Sequence, residues 1–197
     1  MVYNAIDVDT PPGDGTAVRA RLDVDPARPL LLHPVRAIER KDVPRALALT
    51  EAVGGMYWLP GPAEEGYGPT LQHLLDEAPV PVRRAPFAHT DRADVYAAAD
   101  AVLYPSTWEG FGIPPLEAAV FGRPVVVGDY PAAAELRSLG FRWLPAGDPE
   151  PLRRALANPA ALDDDLAHNR EVVRRWFSLG RLRDTLADLL ARAGWMP

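Results

Sequence analysis

The feature that most constrains this chain is a set of short apolar runs that are continuous instead of alternating. They lie at residues 29–35 (PLLLHPV), 55–60 (GMYWLP), 80–87 (VPVRRAPF), 101–105 (AVLYP) and 124–128 (PVVVG). A strand with one wet face alternates apolar and polar side chains, whereas a parallel strand covered on both faces is apolar throughout. Between the runs, residues 43–53, 67–77, 93–99 and 114–121 carry helical spacing. Strand and helix therefore alternate, which predicts an α/β fold: one Rossmann-like, doubly wound parallel sheet with helices on both faces.

The last quarter breaks that rhythm. Residues 149–157, 161–176 and 179–193 are expected to be three successive helices, separated by Asn158-Pro159 and by residues 178–180. They would form a helical C-terminal tail that caps the sheet or leads away from it. Residues 11–15 make an early loop, and residues 1 to 10 could pair as an edge strand.

A chain of 197 residues, 48% of them hydrophobic, can bury a full core, and residues 1–197 are expected to be one domain. No apolar stretch approaches the roughly 20 residues of a membrane span, and the N-terminus MVYNAIDVDT is unlike a secretory signal. Cysteine is absent, which fits a reducing compartment, and a cytoplasmic location is expected. A net charge of −6 disfavours broad nucleic-acid or membrane-surface binding, so any phosphate site must be local. Nearly all the positive charge is arginine, and Lys41 is the single lysine.

Chemistry concentrates in residues 104–127, YPSTWEGFGIPPLEAAVFGRPVVV. Glu109 and Glu117 would share a loose face on one unbroken helix, but Pro114-Pro115 break a helix interior and suit a first turn. Glu109 is thus expected in the loop leaving a strand, and Glu117 near the start of the helix that follows. Gly110 and Gly112 would let the backbone approach a ligand, while the helix start favours an anion. An ionised carboxylate only accepts hydrogen bonds, so its natural partner is a diol. Upstream, HPVRAIERKDVPRAL places Arg36 and Lys41 in one loop between a strand and a helix, where both could face the same crevice. A plain surface loop with Arg40 paired to Glu39 or Asp42 is the alternative.

The stretch around Glu109 and Glu117 resembles the Glu-x7-Glu signature of glycosyltransferase family 4 and its relatives, the glycosyl transferases group 1, which have the GT-B fold. VYNAIDVD, DRADVYAAADAVLYPS and LPAGDPEPL extend the likeness over residues 2 to about 190, the span of that family's C-terminal, donor-binding domain. The resemblance implies that Glu117 binds the donor ribose and that Glu109, catalytic in role, contacts the donor sugar with Gly110, Phe111 and Gly112. It also implies that Arg36 and Lys41 clamp the donor diphosphate. The activity implied is hexosyl transfer from a UDP or GDP sugar with retention and without a metal ion or other cofactor. The N-terminal acceptor-binding domain has no counterpart here, so Met1 would mark an engineered start or a truncated gene product, and the chain alone is expected to be inactive. Glu135 falls where the family often has a glutamate. The loops near Pro60 and over residues 83–91 depart from the family pattern and leave the base open.

No Gly-x-Gly-x-x-Gly follows a strand and no Gly-Lys-Ser/Thr closes a glycine loop, which disfavours hydride transfer and ATP hydrolysis. His33, His73, His89 and His168 lack metal-ligand spacing, and only His33 adjoins the basic loop. Trp58, Trp108 and Trp143 are expected in packing roles, with Trp108 a candidate to line the donor crevice. The rival reading is a non-catalytic nucleotide- or sugar-binding module, or one subunit of a two-chain transferase. A sugar-nucleotide epimerase would need a carboxylate and histidine set that is missing.

Overall fold

The computed structural model describes residues 2–88 and 91–195. Met1 and His89, considered above, lie outside the described residues, as does Thr90 of the 83–91 loop. Six parallel strands form one sheet: β1 (Leu30–Leu32), β2 (Met56–Trp58), β3 (Val82–Arg83), β4 (Ala101–Tyr104), β5 (Val125–Val127) and β6 (Leu144–Pro145). Their spatial order is β3-β2-β1-β4-β5-β6, with register pairs such as Leu31 with Tyr57, Leu31 with Ala101 and Leu103 with Val126. Every residue of β1, β2, β4 and β5 is buried, which is why their sequences are apolar on both faces. Each fully buried Leu or Val contributes about 1.5–3 kcal/mol.

Six helices connect or flank the strands: α1 (Thr16–Arg21), α2 (Val43–Ala52), α3 (Gly68–Asp76), α4 (Arg92–Ala98), α5 (Ile113–Val120) and α6 (Pro131–Ser138). The Asp42 carboxylate caps α2 by accepting from the Arg45 backbone N–H at 3.1 Å, and Pro44 sits in the first turn. The tail follows as expected, with α7 (Glu150–Ala157), a 3-10 turn (Pro159–Leu162), α8 (Asp163–Phe177) and α9 (Leu179–Arg192). Val172, Val173 and Phe177 bury one face of α8, which packs on α5. No residue of α9 is buried, and Leu179, Leu186 and Leu189 of its apolar stripe are exposed.

Two expectations need correction. Residues 2–10 add no edge strand: Ile6 makes one isolated parallel bridge to Ser178 and donates its N–H to the Phe177 carbonyl at 2.8 Å. The sheet has six strands where five apolar runs were expected, because β6 is only Leu144–Pro145, and neither residue is buried. Pairing with Val126 and Val127 of β5, which no local sequence pattern announces, makes it a strand.

Candidate functional site

Strand order reverses between β1 and β4, adjacent strands whose outgoing connections lead to opposite sides of the sheet. In open α/β sheets the crevice beyond the carboxyl ends of two such strands is where ligands bind. Here the β1–α2 loop carries Arg36, Arg40 and Lys41, and the β4–α5 loop carries Glu109 to Gly112. The two loops are stitched together: the Thr107 N–H donates to the Arg40 carbonyl at 2.9 Å, and Arg40 Nη1 donates to the Trp108 carbonyl at 3.1 Å.

Glu109 is the centre of this junction. Its side chain is only 8% exposed; Oε1 accepts from the Lys41 ammonium, and Oε2 accepts from Arg40 Nη1 at 2.8 Å. Burial pushes the Glu109 carboxyl up, but hydrogen bonding and charge from Lys41, with Arg40 beside it, outweigh that and hold it below the usual carboxylate value. Burial likewise holds the Lys41 ammonium below its ordinary value; Glu109 opposes this, while the charges of Arg40 and Arg36 add to it. Lys41 Nζ also donates to the Tyr104 hydroxyl at 3.3 Å and lies 5.0 Å from the centre of that ring. The lone lysine thus serves as the buried counterion of Glu109.

Arg40 does not pair with Glu39 or Asp42, the alternative the sequence left open; Asp42 instead caps α2 and meets Arg45. Arg36 stands apart from Lys41's pocket: Nη1 donates to Glu64 Oε2 at 2.8 Å, and its side chain is 66% exposed. The same stretch is fixed by the Ala37 N–H, which donates to the Pro62 carbonyl at 2.7 Å.

Gly112 lets the loop turn into α5. Its φ of +104° is a conformation other residues avoid, and a Cβ there would stand 3.2 Å from the Tyr130 hydroxyl. Gly110 has nothing within 4 Å of where a Cβ would be, so its backbone is open to an approaching group. Phe111 turns the other way, its ring 5.7 Å from Phe177 and 6.3 Å from Tyr3, and anchors the loop from behind. The α5 start has no side-chain cap, and Pro114 and Pro115 supply no N–H, so the donors at that turn are Gly112, Ile113 and Leu116.

Glu117 lies one turn into α5, its side chain 13% exposed. Its carboxylate accepts from Arg92 Nη1 at 2.5 Å and from the Tyr96 hydroxyl at 2.8 Å, both on α4. Among the described residues no hydrogen bond or ion pair joins Glu117 to Lys41; each acid has its own cation, and the loop from Gly110 to Gly112 links them. Arg92 and Tyr96 were missed in the sequence, although their i, i+4 spacing in DRADVYAA puts them on one helix face.

His33 is fully buried, shares a 2.7 Å hydrogen bond with the Tyr57 hydroxyl through Nδ1, and is pushed down to about 3 by burial and by Lys41's charge. It is a neutral packing residue. Trp58 and Trp143 are buried, whereas Trp108 is 57% exposed on the site loop with the Arg40 guanidinium 5.7 Å from its ring centre. Glu135 of α6 accepts a 2.8 Å hydrogen bond from Tyr3. Among the described residues no group of three His, Cys, Asp or Glu could hold a metal ion, and no helix is long and apolar enough to cross a membrane.

A parallel sheet of this order, with acid and base side chains meeting at its switch point, is a doubly wound α/β fold with a candidate ligand site beyond the carboxyl ends of its strands. The chain belongs to the glycosyl transferases group 1 family, whose model matches residues 53–161. It is similar to the O-antigen chain mannosyltransferase RfbU of Salmonella typhimurium, 35% identical over 99 residues that cover 50% of this chain and 28% of that protein. Among solved structures it matches sucrose-phosphate synthase from Thermosynechococcus elongatus with a TM-score of 0.78 and 20% identity, over 98% of this chain and 52% of that one. It matches Anabaena HepE in complex with UDP-glucose with a TM-score of 0.79 and 21% identity, over 97% of this chain and 57% of that one. The chain therefore spans about half the length of these solved relatives, and its fold is that of the matched part of those GT-B structures.

Proposed function

We propose that this chain holds the nucleoside-diphosphate sugar donor, UDP- or GDP-linked, for a retaining, metal-independent hexosyltransferase whose acceptor is held by a separate N-terminal domain. The observation that carries the proposal is the meeting of Glu109 and Lys41 at the switch point beside the start of α5. Lys41 and Arg36 would bind the diphosphate and stabilise the negative charge that grows on the departing nucleotide. Arg36 would exchange Glu64 for a phosphate oxygen, an inexpensive exchange because that pair is solvent-exposed.

Glu109 and the Gly110 to Gly112 backbone would grip hydroxyls of the transferred sugar, and Glu117, oriented by Arg92 and Tyr96, would accept from the ribose hydroxyls. Transfer needs the acceptor positioned against the sugar, which this half alone does not provide, so the isolated chain should bind donor without turnover. The complex of HepE with UDP-glucose supports a nucleotide-sugar ligand for this fold.

Calorimetric titration with UDP, GDP and their hexose conjugates tests the proposal. Saturable binding weakened about tenfold or more by Glu117→Ala and by Lys41→Ala is the expected result, each removing a charged hydrogen bond of roughly 1.5–3 kcal/mol. No heat from any nucleoside diphosphate with the folded wild-type chain would overturn it.

A further inference from the structure

The opposite end of the sheet holds a second concave site. Pro29, Asp100 and Pro124, which immediately precede β1, β4 and β5, line a cavity of about 720 Å³ together with residues of α7 and α8. That is the size of a small-molecule pocket. It lies at the amino ends of the strands, whereas Glu109 and Lys41 lie beyond the carboxyl ends.

Four arginines line the cavity, and three of them have carboxylate partners: Arg19 with Asp100, Arg28 with Asp25 and Arg153 with Glu150. Three of the arginines are held by backbone carbonyls. Arg19 Nη1 donates to Ala98 at 2.7 Å, Arg153 Nη2 to Ala52 at 2.8 Å, and Arg28 Nη1 to Gly54 at 3.3 Å. Asp100 is committed as well, accepting from Arg19 at 3.1 Å and from the Leu30 N–H at 2.7 Å.

Arg123 is different. Among the described residues its side chain has no hydrogen bond or ion pair, and its Nε is shielded from solvent without a partner. A guanidinium stays charged in a protein, so part of a cation's hydrogen-bonding capacity is withdrawn from water and unmatched. Leu156, Leu162 and Leu166 supply an apolar wall to the same cavity.

We propose that this cavity binds a small phosphate monoester, its phosphate on Arg123 and Arg19 and its organic body against the leucine wall. The guanidinium fork of Arg123, the one lining arginine with no ion pair among the described residues, matches phosphate oxygens, and Arg19 beside it adds a second cation. The volume exceeds what a bare phosphate needs and accommodates an attached carbon skeleton.

Calorimetric titration of the whole chain with glycerol 3-phosphate in phosphate-free buffer tests the assignment, with inorganic phosphate and glycerol as the comparison arms. Expected are saturable binding of glycerol 3-phosphate, weaker binding of inorganic phosphate and none of glycerol. Arg123→Met should weaken binding at least tenfold, and Lys41→Met at the far end of the sheet should leave it unchanged. Ala27→Glu, at an exposed position on the cavity lining, should abolish binding without touching the core. Arg123→Met should also melt at or above the wild-type temperature without ligand, which an arginine kept for structure would not do. The proposal is overturned if glycerol 3-phosphate does not bind, if inorganic phosphate binds as tightly, or if Lys41→Met removes binding while Arg123→Met preserves it.

Discussion

The two ends of the sheet differ in whether a lining cation is left without an ion pair. Beyond the carboxyl ends the four cations placed in or beside the candidate donor site already pair with carboxylates: Arg36 with Glu64, Arg40 and Lys41 with Glu109, Arg92 with Glu117. At the amino ends Arg19, Arg28 and Arg153 are paired too, with Asp100, Asp25 and Glu150, but Arg123 has no ion pair among the described residues. An anion arriving at the first end must displace or share an existing partner, so selectivity there comes from which pairs yield. One arriving at the second finds Arg123 uncommitted to any carboxylate, so binding there need break no ion pair of that arginine. The first arrangement favours a rigid resting site and the second a responsive one.

The largest expected effect that would break this contrast is on stability at the carboxyl end. Glu109→Ala leaves the buried Lys41 ammonium with the Tyr104 hydroxyl but no counter-charge and should cost about 3 kcal/mol in urea denaturation, while adding Lys41→Met should recover much of the loss. Arg123→Met, by comparison, should cost nothing; equal losses at the two ends would erase the distinction.

Acid comes next. His33's pKa in the folded chain is about 3 against about 6.5 unfolded, so the unfolded chain takes up a proton that the folded chain refuses, and stability falls as pH drops from about 6.5 toward 3. About 2 kcal/mol should be gone at pH 5, and His33→Gln should flatten that limb of the curve. An unchanged slope in the variant would mean that the burial of His33 carries no linkage.

Gly112→Ala should cost about 1–2 kcal/mol, because its φ of +104° strains any side chain and the added Cβ crowds Tyr130. Gly110→Ala, with open space around it, should be nearly neutral for folding and register only in donor affinity. The smallest effect is expected from Arg36→Met: no measurable change in melting, since its pair with Glu64 is exposed, but weaker nucleotide binding.

Much of this layout was legible because its causes are local. Pro114-Pro115 can only open a helix, so Glu109 had to fall in the loop and Glu117 on α5, where both are found. Continuous apolar runs located β1, β2, β4 and β5 because burial on both faces leaves no polar position to show, whereas β3, Val82–Arg83, is only half-buried. The contacts that fix the acids were harder to see. Arg92 reaches Glu117 across 25 residues and Arg40 reaches Glu109 across 69, and a charged residue in a sequence does not declare which of many opposite charges it will meet. The helix α1 was overlooked for a different reason: its six residues TAVRAR bury only Val18, too little for periodicity to register.

The ring of Phe111 gives the site loop a mechanical character. It is wedged against Phe177 at the end of α8 and Tyr3 near the amino end, and Tyr3 is itself tethered to Glu135 on α6. The loop that carries Glu109 is therefore moored at three places remote from it in sequence, α8, α6 and the amino-terminal segment.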